Sequence, residues 1–250
     1  MPRRRRTLVL ALGLVAATAV AGAVVIAAPR FLGSQTPTTA LAAPHYFDEA
    51  TGAGLDHTYD GGFEFAVGGG LAVLDCDKDG KPDVYIAGGS NPAALFRNDS
   101  PVGGALRFSA VHDPATDLAD VNGAYPIDID SDGHADLVVL RSGESELLRG
   151  LGGCRFEPAN ERWSFDAGRS WASAFSATWD GTAALPTLAI GTYLSLEEAP
   201  DGSRSCTDNA VVRPNGEGTG YAAPVALTPG YCTLSMLFSD WDRSGRRDLR

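Results

Sequence analysis

Asp75-Cys76-Asp77-Lys78-Asp79-Gly80-Lys81-Pro82-Asp83 is the stretch on which the fold turns. It recurs as Asp128-Ile129-Asp130-Ser131-Asp132-Gly133-His134-Ala135-Asp136 and as Asp240-Trp241-Asp242-Arg243-Ser244-Gly245-Arg246-Arg247-Asp248. The shared pattern is D-x-D-x-[DS]-G-x-x-D. Carboxylates this close repel one another unless a cation sits among them. Oxygen ligands at alternate positions, with Gly at position six for a sharp turn, suit Ca²⁺. Three acidic surface turns would explain neither the fixed Gly nor the final Asp. The expected ligands are Asp75, Asp77, Asp79 and Asp83 with the Lys81 carbonyl, then Asp128, Asp130, Asp132 and Asp136 with the His134 carbonyl. Asp240, Asp242, Ser244 and Asp248 form a weaker third set, because Ser is neutral.

The flanks exclude an EF-hand, which has helices on both sides and a Glu at position twelve. Position twelve here is Ile86 or Val139. Gly70-Leu71-Ala72-Val73-Leu74 precedes the first loop and Val84-Tyr85-Ile86-Ala87 follows it. The second loop lies between Tyr125-Pro126-Ile127 and Leu137-Val138-Val139-Leu140. Such short β-branched apolar runs predict buried strands, so each loop joins a strand hairpin.

Spacing predicts the architecture. Asp75 to Asp128 is 53 residues and Asp128 to Asp240 is 112, about two such steps. A decayed copy is therefore expected near residue 180. Ala174–Gly181 leads there into Leu185–Gly191, with Thr187 in place of the last Asp. Only Asp180 remains acidic, so no metal is expected in that unit. Leu95-Phe96-Arg97-Asn98 corresponds to Leu147-Leu148-Arg149-Gly150, and Leu106-Arg107-Phe108 to Cys154-Arg155-Phe156. Units of 50 to 60 residues with about four short strands read as propeller blades, since one blade cannot bury its faces alone.

These loops, with the opening Phe47-Asp48-Glu49-Ala50-Thr51-Gly52-Ala53-Gly54-Leu55, resemble the FG-GAP/VCBS repeats of integrin-α-type β-propellers. Cys232 to Asp242 is similar to the extracellular family of cartilage acidic protein 1, whose members often carry an ASPIC/UnbV domain. The resemblance spans roughly residues 45–250. It implies an all-β fold, a propeller of about seven blades, calcium in the hairpin loops and binding outside the cell. The chain supplies about four units. The expectation is therefore a partial, truncated propeller over 45–250, completed by further blades in a longer chain.

Composition fits export. Residues 1–42 hold five Arg and no acid, so the remainder carries 15 basic against 31 acidic residues, a net −16. Such a surface repels nucleic acid and anionic lipid. Arg3–Arg6 precede an apolar run from Leu8 to Ala28, long enough to span a bilayer. The positive cluster places the rest outside the cytoplasm. Residues 1–29 read as a signal anchor or a cleaved signal; the length of the run favours the anchor, and Ala40-Leu41-Ala42 offers a cleavage site. Residues 30–44 read as a linker.

Four Cys suit an oxidising compartment. Cys206 and Cys232 bracket a Gly- and Pro-rich insertion that a bridge would staple. Cys76 and Cys154 are read as either a second bridge or buried thiols. Trp163, Trp171, Trp179 and Trp241 are expected to pack between units, and the His134 side chain to be solvated. The sequence shows no G-x-S-x-G, P-loop or H-E-x-x-H. Two functions remain: a calcium-bearing interaction or adhesion module for an extracellular protein or glycan, and an exported polysaccharide-acting enzyme on a propeller scaffold.

Overall fold

The computed structural model describes residues 43–250; the N-terminal segment read as a signal, and nearly all of the linker, lie outside the described residues. Residues Asp48–Arg250 form one unit. It opens with a one-turn helix, α1 (Ala50–Ala53), and a 3₁₀ turn, Phe63–Phe65. Everything after that is strand and loop. Among the described residues no helix is long and apolar enough to cross a membrane.

Three antiparallel meanders follow in chain order. The first comprises β1 (Leu71–Leu74), β2 (Asp83–Ile86), β3 (Ala94–Asn98) and β4 (Phe108–Val111). The second comprises β5 (Val121–Ile127), β6 (Asp136–Glu144), β7 (Glu146–Gly150) and β8 (Phe156–Pro158). The third comprises β9 (Arg169–Thr178), β10 (Thr187–Thr192), β11 (Asn209–Val212) and β12 (Val225–Leu227). A hairpin of β13 (Phe238–Ser239) and β14 (Asp248–Leu249) ends the described chain. The acidic loops join β1 to β2, β5 to β6 and β13 to β14.

Register confirms that these hairpins are one design. Leu74 pairs with Asp83, Ile127 with Asp136 and Ser239 with Asp248. In the third meander Thr178 pairs with Thr187 across a loop of the same length. That register puts Trp179 at position one and Asp180 at position two. The decayed copy is therefore where the spacing placed it, but its surviving acid stands one place from the metal-ligand position.

The middle meander separates two cores. Side chains alternate across a strand, and β6 uses both faces. Leu137 and Val139 join Leu74, Tyr85, Leu95, Leu148 and Phe156 on one side. Val138 and Leu140 join Leu147, Leu188, Ile190, Val212 and Trp163 on the other. This explains the unbroken apolar run Leu137–Leu140, since a strand packed on both faces has no polar side. The first strands of the meanders lie side by side, β1 against β5, β5 against β9 and β9 against β13. The end of β6 also pairs with the start of β9, Ser142 opposite Trp171.

Two expectations change. β1 buries alternate residues only, leaving Leu71 and Val73 more than half exposed. Trp163 and Trp171 are buried, but Trp179 is 42% and Trp241 70% exposed. Trp179 occupies the loop place that Asp75 and Asp128 hold, where the chain turns away from the core.

Candidate metal centre

Each loop is built from its own backbone. Positions four and six lie in the left-handed region: Lys78 and Gly80, Ser131 and Gly133, Arg243 and Gly245. A Cβ at Gly80 or Gly245 would touch nothing, and one at Gly133 would meet only the Lys78 amine at 3.8 Å, so the role of Gly at position six is conformational. The turn aims backbone N–H groups at the first carboxylate. Gly80 N donates to Asp75 Oδ2 at 2.9 Å, Gly133 N to Asp128 Oδ2 at 3.0 Å, and Gly245 N to Asp240 Oδ2 at 3.0 Å.

The ninth residue is anchored from two sides. Asp83 is fully buried and accepts Cys76 N (2.8 Å) and Asn98 N (2.8 Å). Asp136 is fully buried and accepts Ile129 N (2.7 Å) and Gly150 N (2.8 Å). The second donor in each pair is the last residue of the third strand, β3 or β7. Gly150 is required for that approach: a Cβ there would lie 2.2 Å from the Ala135 carbonyl oxygen. Burial pushes both carboxyls upward, Asp136 to about 6, against the downward pull of those N–H groups.

Three carboxylates converge in each of the first two loops. Asp75, Asp77 and Asp83 bring one oxygen apiece within 4.8 Å of one another, and so do Asp128, Asp130 and Asp136. The donor set is all oxygen, as a hard cation needs. Asp128 Oδ1 is buried and accepts no hydrogen bond, so a ligand atom is left over inside the second group. These residues fit a divalent cation.

The fifth-position carboxylates turn elsewhere. Asp79 is exposed and pairs with Lys81 Nζ at 2.7 Å. Asp132 pairs with Arg149 Nη2 at 2.5 Å, and the same guanidinium donates from Nε to Asp130 Oδ2 at 2.8 Å. Arg149 was visible in the sequence only as the partner of Arg97 in the repeat. Arg97 instead pairs with Asp99, at 2.9 Å. The two loops thus differ in the cationic side chain they meet: Lys81 of the loop itself holds Asp79 alone in the first, and Arg149 of β7 holds both Asp130 and Asp132 in the second. The His134 ring is half-buried and lies over the turn at Gly152.

The third loop has the same turn but not the same convergence. Asp240, Asp242, Ser244 and Asp248 are exposed, and they form no comparably close group. In the third meander, Thr187 Oγ1 donates to Asp180 Oδ2 at 2.7 Å. A hydroxyl there leaves one hydrogen-bonded carboxylate in place of a carboxylate cluster.

Two disulfides, Cys76–Cys154 and Cys206–Cys232, account for all four cysteines, as fits an extracellular or secreted protein. The second is the staple the insertion called for; the first settles the open pairing in favour of a bridge.

Residues 75–139 match the FG-GAP-like repeat family, from the first acidic loop through the second and into β6. No curated protein matches the chain.

Proposed function

We propose that this protein is a calcium-binding FG-GAP-type repeat protein that acts outside the cytoplasm as an interaction or adhesion module. The observation that carries the reading is the doubled geometry of the acidic loops. Two separate hairpins each gather three carboxylates into an oxygen cage and bury the ninth-position Asp beneath two backbone donors. Asp75, Asp77 and Asp83 would hold one Ca²⁺, and Asp128, Asp130 and Asp136 a second. The Lys81 and His134 carbonyls and the fifth-position carboxylates, Asp79 and Asp132, would complete each shell by exchanging their Lys81 and Arg149 partners for the cation. Asp240, Asp242, Ser244 and Asp248 form a weaker site. Each meander is read as one blade of a propeller, with a calcium loop joining the first two strands of the first and second and the decayed loop at the same place in the third.

The cation's part is structural: it neutralises clustered charge and fixes the hairpin, so that the loops present a rigid surface. The protein then works by binding, and an extracellular protein or glycan is the fitting partner. The acidic surface disfavours nucleic acid. The Arg-rich, apolar N-terminal segment and the two bridges support export. Calorimetric titration of the chelator-treated protein should show two calcium sites and a weaker third. Absence of uptake by the oxidised, folded chain would overturn the reading.

A further inference from the structure

The Cys76–Cys154 bridge does not simply link two sheets. Cys76 is position two of the first acidic loop, and Cys154 lies in the turn between β7 and β8, 78 residues on. The link crosses the core between the first and second meanders. It also touches the candidate ligand set directly. Cys76 N donates to Asp83 Oδ2 at 2.8 Å, and Cys154 N donates to the Cys76 carbonyl at 3.1 Å. Cys76 Sγ lies 2.9 Å from Asp83 Oδ2, and Cys154 Sγ lies 3.8 Å from it. Cys76, Asp83 and Cys154 are 5%, 0% and 2% exposed, so none of them has room to move without the others.

The second loop supplies an internal comparison. Its position two is Ile129, fully buried, whose N donates to Asp136 Oδ2 at 2.7 Å. The same hydrogen bond is made there without any covalent tie. Only the first loop has its metal-facing Asp held through a bonded sulfur pair.

We infer that the Cys76–Cys154 disulfide is a positioning element of the first cation loop, and that the bridge and a divalent cation at Asp75, Asp77 and Asp83 stabilise each other. This inference rests on the calcium reading above. Two thiols cannot approach as closely as two bonded sulfurs, since non-bonded heavy atoms sit about 3.5–4 Å apart. The Cα atoms of the pair are only 4.6 Å apart. Opening the bridge in this packed core therefore displaces Cys76 N and, with it, the Asp83 carboxylate. The cation then loses its best-anchored ligand. By linkage the effect is reciprocal: an occupied loop resists reduction. The reaction balances with a dithiol reductant, which supplies two electrons and two protons and leaves as its own cyclic disulfide. The protein gains two thiols.

Two measurements test this on the whole protein. In the first, the oxidised chain is treated with dithiothreitol in chelator or in saturating Ca²⁺, alkylated, and mapped by mass spectrometry. At equilibrium with a fixed ratio of reduced to oxidised dithiothreitol, calcium should lower the reduced-to-oxidised ratio of Cys76–Cys154 at least tenfold and change that of Cys206–Cys232 by less than twofold. In the second, calcium titration compares the wild type with Cys76→Ala/Cys154→Ala. One site should weaken at least tenfold while the Asp128 site stays within twofold. If the double variant does not fold, the reduction measurement decides alone. Wild-type protein that takes up no calcium would sink the calcium reading itself. Two normal sites in wild type with calcium-independent opening of both bridges would sink the coupling and leave the calcium reading standing.

Discussion

Asp136→Asn separates the structural role of the ninth-position carboxylate from its role toward a cation. Asp136 is fully buried and spends one oxygen on Ile129 N and the other on Gly150 N. Asn keeps the shape but offers one acceptor and one donor, so one of those N–H groups loses its partner. An orphaned buried donor costs about 1–3 kcal/mol. Part of this is offset, because burial has raised the Asp136 carboxyl to about 6 and the charged form is itself disfavoured at neutral pH. In chelator the variant should therefore be destabilised by about 1–2 kcal/mol. Calcium at about 100 times its Kd adds roughly 2.7 kcal/mol to the wild type at each site. Asn cannot supply the charge that draws a cation, so most of that gain at the second loop disappears. At about 2–4 °C per kcal/mol for a domain of this size, the gap between the two melting temperatures should widen by roughly 5–11 °C on adding calcium. Paired melts of both proteins, in chelator and in calcium, measure it. A gap that is the same in both buffers would mean that Asp136 is a hydrogen-bonding residue with no cation to serve.

Three further outcomes are expected. Arg149→Ala removes the guanidinium that occupies Asp130 and Asp132; with each such pair worth up to about 1 kcal/mol, calcium affinity of the second loop should rise about three- to tenfold by calorimetry, and an unchanged or lower affinity would make Arg149 a scaffold for the loop. Cys206→Ser/Cys232→Ser opens a bridge spanning 26 residues, and chain entropy puts the loss near 3–4 kcal/mol, read as a drop in denaturant midpoint; a midpoint unchanged within error would show that the insertion holds itself together. The chelated protein should lose stability as pH rises from about 4 to about 6, because native Asp136 keeps its proton to about 6 while the unfolded chain has already released it; denaturant titrations across that range should show the slope in chelator and lose it in saturating calcium, which favours the carboxylate, and a flat profile in chelator would contradict the burial argument.

The acidic loops were legible in the sequence because everything they need is local. Nine residues hold the carboxylates, the left-handed Gly and the strand ends, so the hairpins β1–β2, β5–β6 and β13–β14 could be placed before any fold was known. Thr187 could likewise be read as a lost ligand. What the nine residues do not contain is the environment of the ninth. Asp83 and Asp136 are buried because β3 and β7 close over them with Asn98 N and Gly150 N, and those donors come from strands 15 and 14 residues later. The third loop repeats the motif and the turn, yet its carboxylates stay exposed and apart. Ser244 marked it in the sequence as the weaker set, but not that its carboxylates stay apart. The resident Arg149, the displacement of Asp180 to position two and the solvent-facing Trp179 were equally hidden, since each depends on register across the sheet. Whether Cys76 and Cys154 bridge or stay as thiols was also left open, because those sulfurs meet only where the first and second meanders share a core. Local spacing determines which residues can turn and coordinate. Packing between sheets decides which carboxylates are desolvated, and desolvation makes an uncompensated charge costly there.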